Sequence, residues 1–145
     1  MLEVSVSPLT RELLGFARRG MPHGMAMLSI LDHARDCEPP MPVPRVLRLH
    51  FDDASEPGWW QALITPEQAL AIRDFVLSLD ADVELLIIHC TEGVSRSAAV
   101  AAAVLDALGG DSDWIWNDPH YRPNPLVYRR VVDAFLALRA PSTEG

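Results

Sequence analysis

One segment of the sequence carries residue types and a spacing suited to covalent chemistry: His89-Cys90-Thr91-Glu92-Gly93-Val94-Ser95-Arg96-Ser97, in which five residues separate Cys90 from Arg96. The run before it, Leu85 to His89, is continuously apolar up to its last residue and reads as a central strand covered on both faces. The run after it, Ser97 to Leu108, is apolar all round, ends at Gly109-Gly110, and reads as a buried helix with a glycine C-cap. A loop of this length between strand and helix can curl so that its backbone N–H groups point inward and, with the helix N-terminus, cradle a tetrahedral dianion. Gly93 permits a backbone conformation that other residues resist. Arg96, at the helix start, can hold two oxygens of the anion at once. Cys90 then lies at the bottom of the cradle, where the same amides, dipole and guanidinium favour thiolate over thiol. Such a thiolate is a nucleophile for in-line attack on phosphorus. The bland alternative, an inert buried cysteine that happens to precede an arginine, leaves the flanking pattern unexplained.

The remaining elements must hold that loop and bring other groups to it. Leu2 to Val6 alternates as a half-buried strand and Thr10 to Arg18 reads as a short helix ending at Gly20. Met25 to Leu31 reads as a buried strand, followed by a proline-rich loop through Pro44. Val46 to Phe51 alternates with period two and stops at Asp52-Asp53-Ala54-Ser55-Glu56-Pro57-Gly58, an acidic turn-rich loop. Thr65, Pro66 and Gln68 predict an N-cap, a first-position proline and a capping box, with Ile72, Phe75, Val76 and Leu79 on one face of the helix that follows. Asp111 to Pro123 reads as a loop, and Pro125 to Arg139 as an amphipathic helix with Val131, Val132, Phe135 and Leu138 inward. Strands alternating with helices predict an α/β fold, a mostly parallel central sheet flanked by helices on both sides. Ligands of such sheets bind at the carboxyl ends of the strands. His89-Cys90 and Asp52-Asp53 both lie at such ends.

Length and composition are consistent with one domain over residues 1–145: the hydrophobic share of 49% suffices for a core without disulfides or a structural metal. The formal net charge of -8 opposes a nucleic-acid or polybasic membrane-surface role. The two cysteines, Cys37 and Cys90, form no disulfide framework, there is no secretory leader pattern, and no apolar run spans a bilayer, so a cytoplasmic location is expected. The histidines show no metal-ligand spacing, and neither metal nor cofactor is expected. Trp59, Trp60, Trp114 and Trp116 are candidates for the mouth of the site or, more simply, for covering core edges.

The His-Cys pair, the glycine three residues later and the Arg-Ser close resemble the signature of the protein tyrosine phosphatase superfamily. The resemblance runs in order from Met25 to Leu138. Its late signature with the acid upstream is similar to the compact dual-specificity branch in a bacterial-type form, whereas low-molecular-weight tyrosine phosphatases place the loop at the N-terminus. The Trp-Pro-Asp of receptor-like tyrosine phosphatases is absent.

The resemblance implies the family's three-layer fold and a phosphocysteine intermediate, with Cys90 as nucleophile and Arg96 as clamp. Thr91, Glu92, Gly93, Val94, Ser95 and Arg96 would bind substrate. It implies an upstream aspartate as general acid and then base; Asp53 is the first choice, Asp52 the alternative and Glu56 a remote third, against the reading that these acids only solvate a turn. It implies that Ser97 hydrogen-bonds the leaving thiolate, that His89 orients the surroundings of Cys90, and that Asn124 of Arg122-Pro123-Asn124-Pro125 steadies the phosphate loop, helix capping being its ordinary role. A protective Cys37–Cys90 disulfide is the weakest idea. The expected substrate is a phosphorylated protein or small phosphomonoester, phosphotyrosine foremost with phosphoserine or phosphothreonine alongside, since Glu92 and the acidic surface disfavour inositol lipids and RNA triphosphates. The alternatives are a phosphopeptide-binding pseudophosphatase and a rhodanese-type sulfurtransferase.

Overall fold

A computed structural model describes residues 2–33, 42–58 and 60–139, so Cys37, Trp59 and most of the proline-rich loop lie outside the described residues, as does the side chain of Leu138. The described residues form, in order, β1 (Glu3–Ser7), α1 (Arg11–Arg19), β2 (Met25–Leu31), β3 (Val46–His50), α2 (Pro66–Leu77), β4 (Leu85–His89), α3 (Arg96–Ala107), α4 (Asp113–Trp116) and α5 (Pro125–Arg139). The strands form one parallel sheet in the order β1-β4-β2-β3. The strand ahead of Cys90 is therefore internal, with Ile88 level with Val6 on one side and Leu28 on the other.

Alternation across the pleat sends two sets of side chains to two helical layers. Leu28, Ile30, Leu86 and Ile88 face the larger core with α2, α3 and α5, while Met27 faces a smaller one with Leu13, Ala17 and Met21 on and after α1. Each fully buried Leu or Ile contributes about 1.5–3 kcal/mol relative to exposure. Every residue from Ala98 to Val104 is fully buried, and the run of alanines lets α3 approach the sheet closely. β1 and β3 are the edges of the described sheet, and the five residues of β3 are half-buried, with Leu47 and Leu49 packed on the larger core and Val46 on the smaller one.

Helix ends follow their chemistry. Thr65 caps α2 and Gln68 closes the reciprocal capping box. α3 ends in a Schellman arrangement: Gly109 takes φ +78°, and the Gly110 N–H reaches the Leu105 carbonyl at 2.8 Å. The expected loop between Asp111 and Pro123 contains a single helical turn, α4, which no periodic pattern could announce in four residues. Among the described residues, no helix is long and apolar enough to cross a membrane.

Candidate active site

Three strand exits converge on the N-terminus of α3: residues 32–33 after β2, 51–53 after β3 and 90–95 after β4. They surround an open cleft of about 380 Å³ whose floor holds Cys90 and Arg96, with Thr91, Glu92, Val94 and Ser95 from the same loop around them and Asp32, Asp53 and Arg122 from elsewhere.

Cys90 is 2% exposed. Its Sγ lies 3.1 Å from Ser97 Oγ and accepts the Gly93 N–H at 3.3 Å. Burial pushes the thiol up, but hydrogen bonds from the Ser97 hydroxyl and amide and the Gly93 amide, with the Arg96 charge, outweigh it and hold Cys90 below its ordinary value. The loop that does this is forced into shape. Gly93 has φ +70°, and a Cβ there would stand 2.5 Å from Pro8 N and 2.7 Å from the Ser7 carbonyl carbon. Both the dihedral and the space therefore require glycine. Backbone bonds hold the loop on two sides: Leu9 N–H to the Thr91 carbonyl, Arg122 N–H to Val94 and Asn124 N–H to Ser95.

Ser95 sits at the N-cap of α3 but makes no side-chain cap. Its hydroxyl turns instead to Asp53 Oδ1 at 2.8 Å, so no side chain from the cap occupies the first-turn N–H groups of α3. Arg96 is buried. Its NH1 donates to Asp32 Oδ1 and to the Phe51 carbonyl, both at 2.8 Å, and its NH2 to Thr91 Oγ1 at 3.2 Å.

The two neighbouring aspartates part ways. Asp53 is exposed on the cleft, its Oδ1 accepting from Ser95 and from Asn124 Nδ2 at 2.8 Å. Asp52 does not line the cleft; it accepts from the Ala62 amide at 2.8 Å and from the His33 amide and ring. Burial pushes Asp52 up, but those amides and the His33 ring outweigh it and hold the carboxyl below its ordinary range. Glu56 is exposed and does not line the cleft.

Asn124 does two jobs with one amide. Its Oδ1 accepts the Leu126 and Val127 N–H groups at the start of α5, while its Nδ2 reaches Asp53 and the Ala54 carbonyl. His89 is fully buried beneath the loop, with Nε2 2.7 Å from Ser29 Oγ and Nδ1 3.4 Å from the Cys90 carbonyl. Burial pulls His89 below its ordinary value, keeping a neutral ring under the nucleophile. The described tryptophans Trp60, Trp114 and Trp116 line no part of the cleft; Trp114 meets Tyr121 and Trp116 meets Tyr128 edge to face.

Two cleft residues were not candidates in the sequence. Arg122 was visible only as part of the segment leading to Asn124. Asp32 ends β2 much as Asp52-Asp53 ends β3, and an acid at a strand's carboxyl end was the available signal.

At the level of sequence, no protein-family model and no curated protein matches the chain. Solved structures do. Human DUSP28 is 19% identical with a TM-score of 0.52, covering 96% of this chain and 95% of its own. PTPMT1, crystallised with PI(5)P, is 16% identical with a TM-score of 0.56 and covers 95% of each chain. The human tyrosine phosphatase-like serine/threonine/tyrosine-interacting protein is 19% identical with a TM-score of 0.51 over 81% of this chain and 80% of its own. The chain has the fold that these proteins share.

Proposed function

We propose that this chain, built on the fold of the dual-specificity and tyrosine phosphatases, hydrolyses phosphate monoesters through a phosphocysteine intermediate. The observation that carries the reading is the environment of Cys90: a buried thiol, held below its ordinary value by two amides, a hydroxyl and a guanidinium, at the floor of an open cleft. Structural cysteines have no need of such surroundings.

The steps follow from the positions. Substrate phosphate binds over Cys90 at the N-terminus of α3, beside Arg96. The Cys90 thiolate attacks phosphorus in line, an S–P bond forms and the P–O bond to the alcohol or phenol breaks, with Asp53 giving its proton to the departing oxygen. Oδ1 of Asp53 is committed to Ser95 and Asn124, so Oδ2 carries that proton. Asp53, now a carboxylate, takes a proton from water as that water attacks phosphorus. The S–P bond breaks, phosphate leaves, and the Ser97 hydroxyl donates to the regenerated thiolate. Asp52, with its oxygens taken up by amides and His33, closes the turn instead of transferring protons. Protein phosphotyrosine is the first substrate class, with phosphoserine and phosphothreonine alongside; Asp32, Asp53 and Glu92 around the cleft oppose multiply phosphorylated lipids.

The test is vanadate-sensitive hydrolysis of p-nitrophenyl phosphate by the wild type, Cys90→Ser, Asp53→Asn and Asp52→Asn. Turnover that disappears in Cys90→Ser supports the phosphocysteine route. A folded wild type that binds phosphopeptide without turnover would replace it with the pseudophosphatase reading.

A further inference from the structure

The clamp arginine has five N–H donors, and the structure shows where three of them go. Both N–H groups of NH1 are taken, by Asp32 Oδ1 and the Phe51 carbonyl, and one of NH2 goes to Thr91 Oγ1. The two that remain, one on Nε and one on NH2, have no partner among the described residues, and the Nε/NH2 edge of a guanidinium is one that can meet two oxygens of a phosphate.

The edge that stays free is decided by what occupies NH1. Of its two partners, the Phe51 carbonyl is a fixed part of the backbone, so among the described residues Asp32 is the only side chain that does so. Arg96 is buried, yet the Asp32 side chain is 57% exposed, so a carboxylate half in the cleft meets a buried guanidinium. The segment carrying Asp32 is itself anchored. The Asp32 carbonyl lies 3.2 Å from His50 Nδ1, and the next residue, His33, hydrogen-bonds Asp52 through amide and ring. Asp32 thus sits on a braced strand exit, not on a loose loop.

We propose that Asp32 is the positioning residue of the phosphate clamp: by occupying NH1 with the Phe51 carbonyl, it turns the Nε/NH2 edge of Arg96 toward the bound phosphate. This rests on the proposed phosphate-binding reading of the site. Asp32 does not touch the reacting atoms; it acts through Arg96. Its effect is geometric, so it depends on an acceptor oxygen at this place more than on a charge. Loss of the acceptor frees the guanidinium to rotate about its long side chain, and a fork misplaced by about 1 Å costs on the order of a hundredfold.

The test compares Asp32→Asn, which keeps an acceptor oxygen, with Asp32→Ala, which keeps none, measuring kcat, KM and vanadate inhibition with p-nitrophenyl phosphate. Asp32→Ala is expected to lose about 10- to 100-fold in kcat and in vanadate affinity, and Asp32→Asn to recover most of both. Thermal unfolding of the two variants separates the role from a merely structural one, since a general loss of structure would move Tm without the Asn rescue. Equal losses in Asn and Ala, or an Ala variant like the wild type, overturn the proposal. Failure of the enzymatic reading is distinguishable. If the wild type turns nothing over, the same two substitutions are made in Cys90→Ser and inorganic phosphate binding is measured by calorimetry. The same order of affinities, Asn above Ala, upholds the clamp without the reaction, and equal affinities reject it.

Discussion

The Cys90 loop and the acidic loop meet at the cleft through the Ser95–Asp53 hydrogen bond, and they are held differently. Residues 90–95 are fixed largely through the main chain: carbonyls of Thr91, Val94 and Ser95 receive N–H groups from residues before α1 and before α5. Residues 52–54 have a main-chain anchor in the Asp52 N–H to the Ala62 carbonyl at 2.7 Å but depend more on side chains: Asp52 grips the His33 and Ala62 amides, and Asn124 and Ser95 grip Asp53. The difference suits the tasks. A loop that must offer its own amides to an anion needs those amides aimed by backbone geometry, whereas a loop that offers one carboxylate needs only that side chain placed. The first should tolerate almost no substitution at its glycine, and the second should fail one side chain at a time.

The largest expected effect lies in the first region. Cys90→Ser should lose at least about ten-thousand-fold in kcat, since every later step depends on the thiolate. Gly93→Ala comes next. With φ +70° and a Cβ 2.5 Å from Pro8 N, something must shift, so we expect a loss of about 2 kcal/mol or more in stability together with most of the activity, read from denaturant unfolding and turnover. A Gly93→Ala protein of wild-type stability and activity would break the contrast between the loops.

In the second region, Asp53→Asn should lower kcat by about 10²–10⁴-fold, steepest for substrates with poor leaving groups. Asp52→Asn should cost less. Equal effects from the two would show that the acidic loop acts as one unit. Ser97→Ala should raise the pH at which iodoacetamide modifies Cys90, moving it toward the ordinary value of 9.0, because the hydroxyl does most to oppose the effect of burial on the thiolate.

The smallest effect is a pH dependence. Asp52 is held below its ordinary value of 3.8, so the unfolded chain binds that proton more readily than the folded one. Its contribution to stability is complete above the unfolded value and is lost as pH falls through the lower folded value. Asp52→Asn should therefore flatten the fall in stability below about pH 4, measured by urea unfolding at a series of pH values.

Much of this was legible in the chain. Cys90, Gly93, Arg96 and Ser97 lie within eight positions of one another, so a local signal of strand, glycine loop and helix is enough to specify the cradle. The capping box at Thr65 and the glycine end of α3 are equally local, and the structure has both. The four-residue helix α4 was not legible, because one turn carries no period.

What only the tertiary structure decided is which side chains meet across sequence distance. Asp52 and Asp53 are the same residue type one position apart, and their separate fates come from His33, Ala62, Ser95 and Asn124, which arrive from four other places in the chain. Asp32 and Arg96 are 64 positions apart and make a 2.8 Å ion pair, and Asn124 and Asp53 are 71 apart. Residue type and spacing determined the strand, glycine loop and helix around Cys90, because those are made from consecutive residues. Which carboxylates face the cleft and which one pairs with Arg96 depend on the order and register of the parallel strands, and no local pattern encodes that.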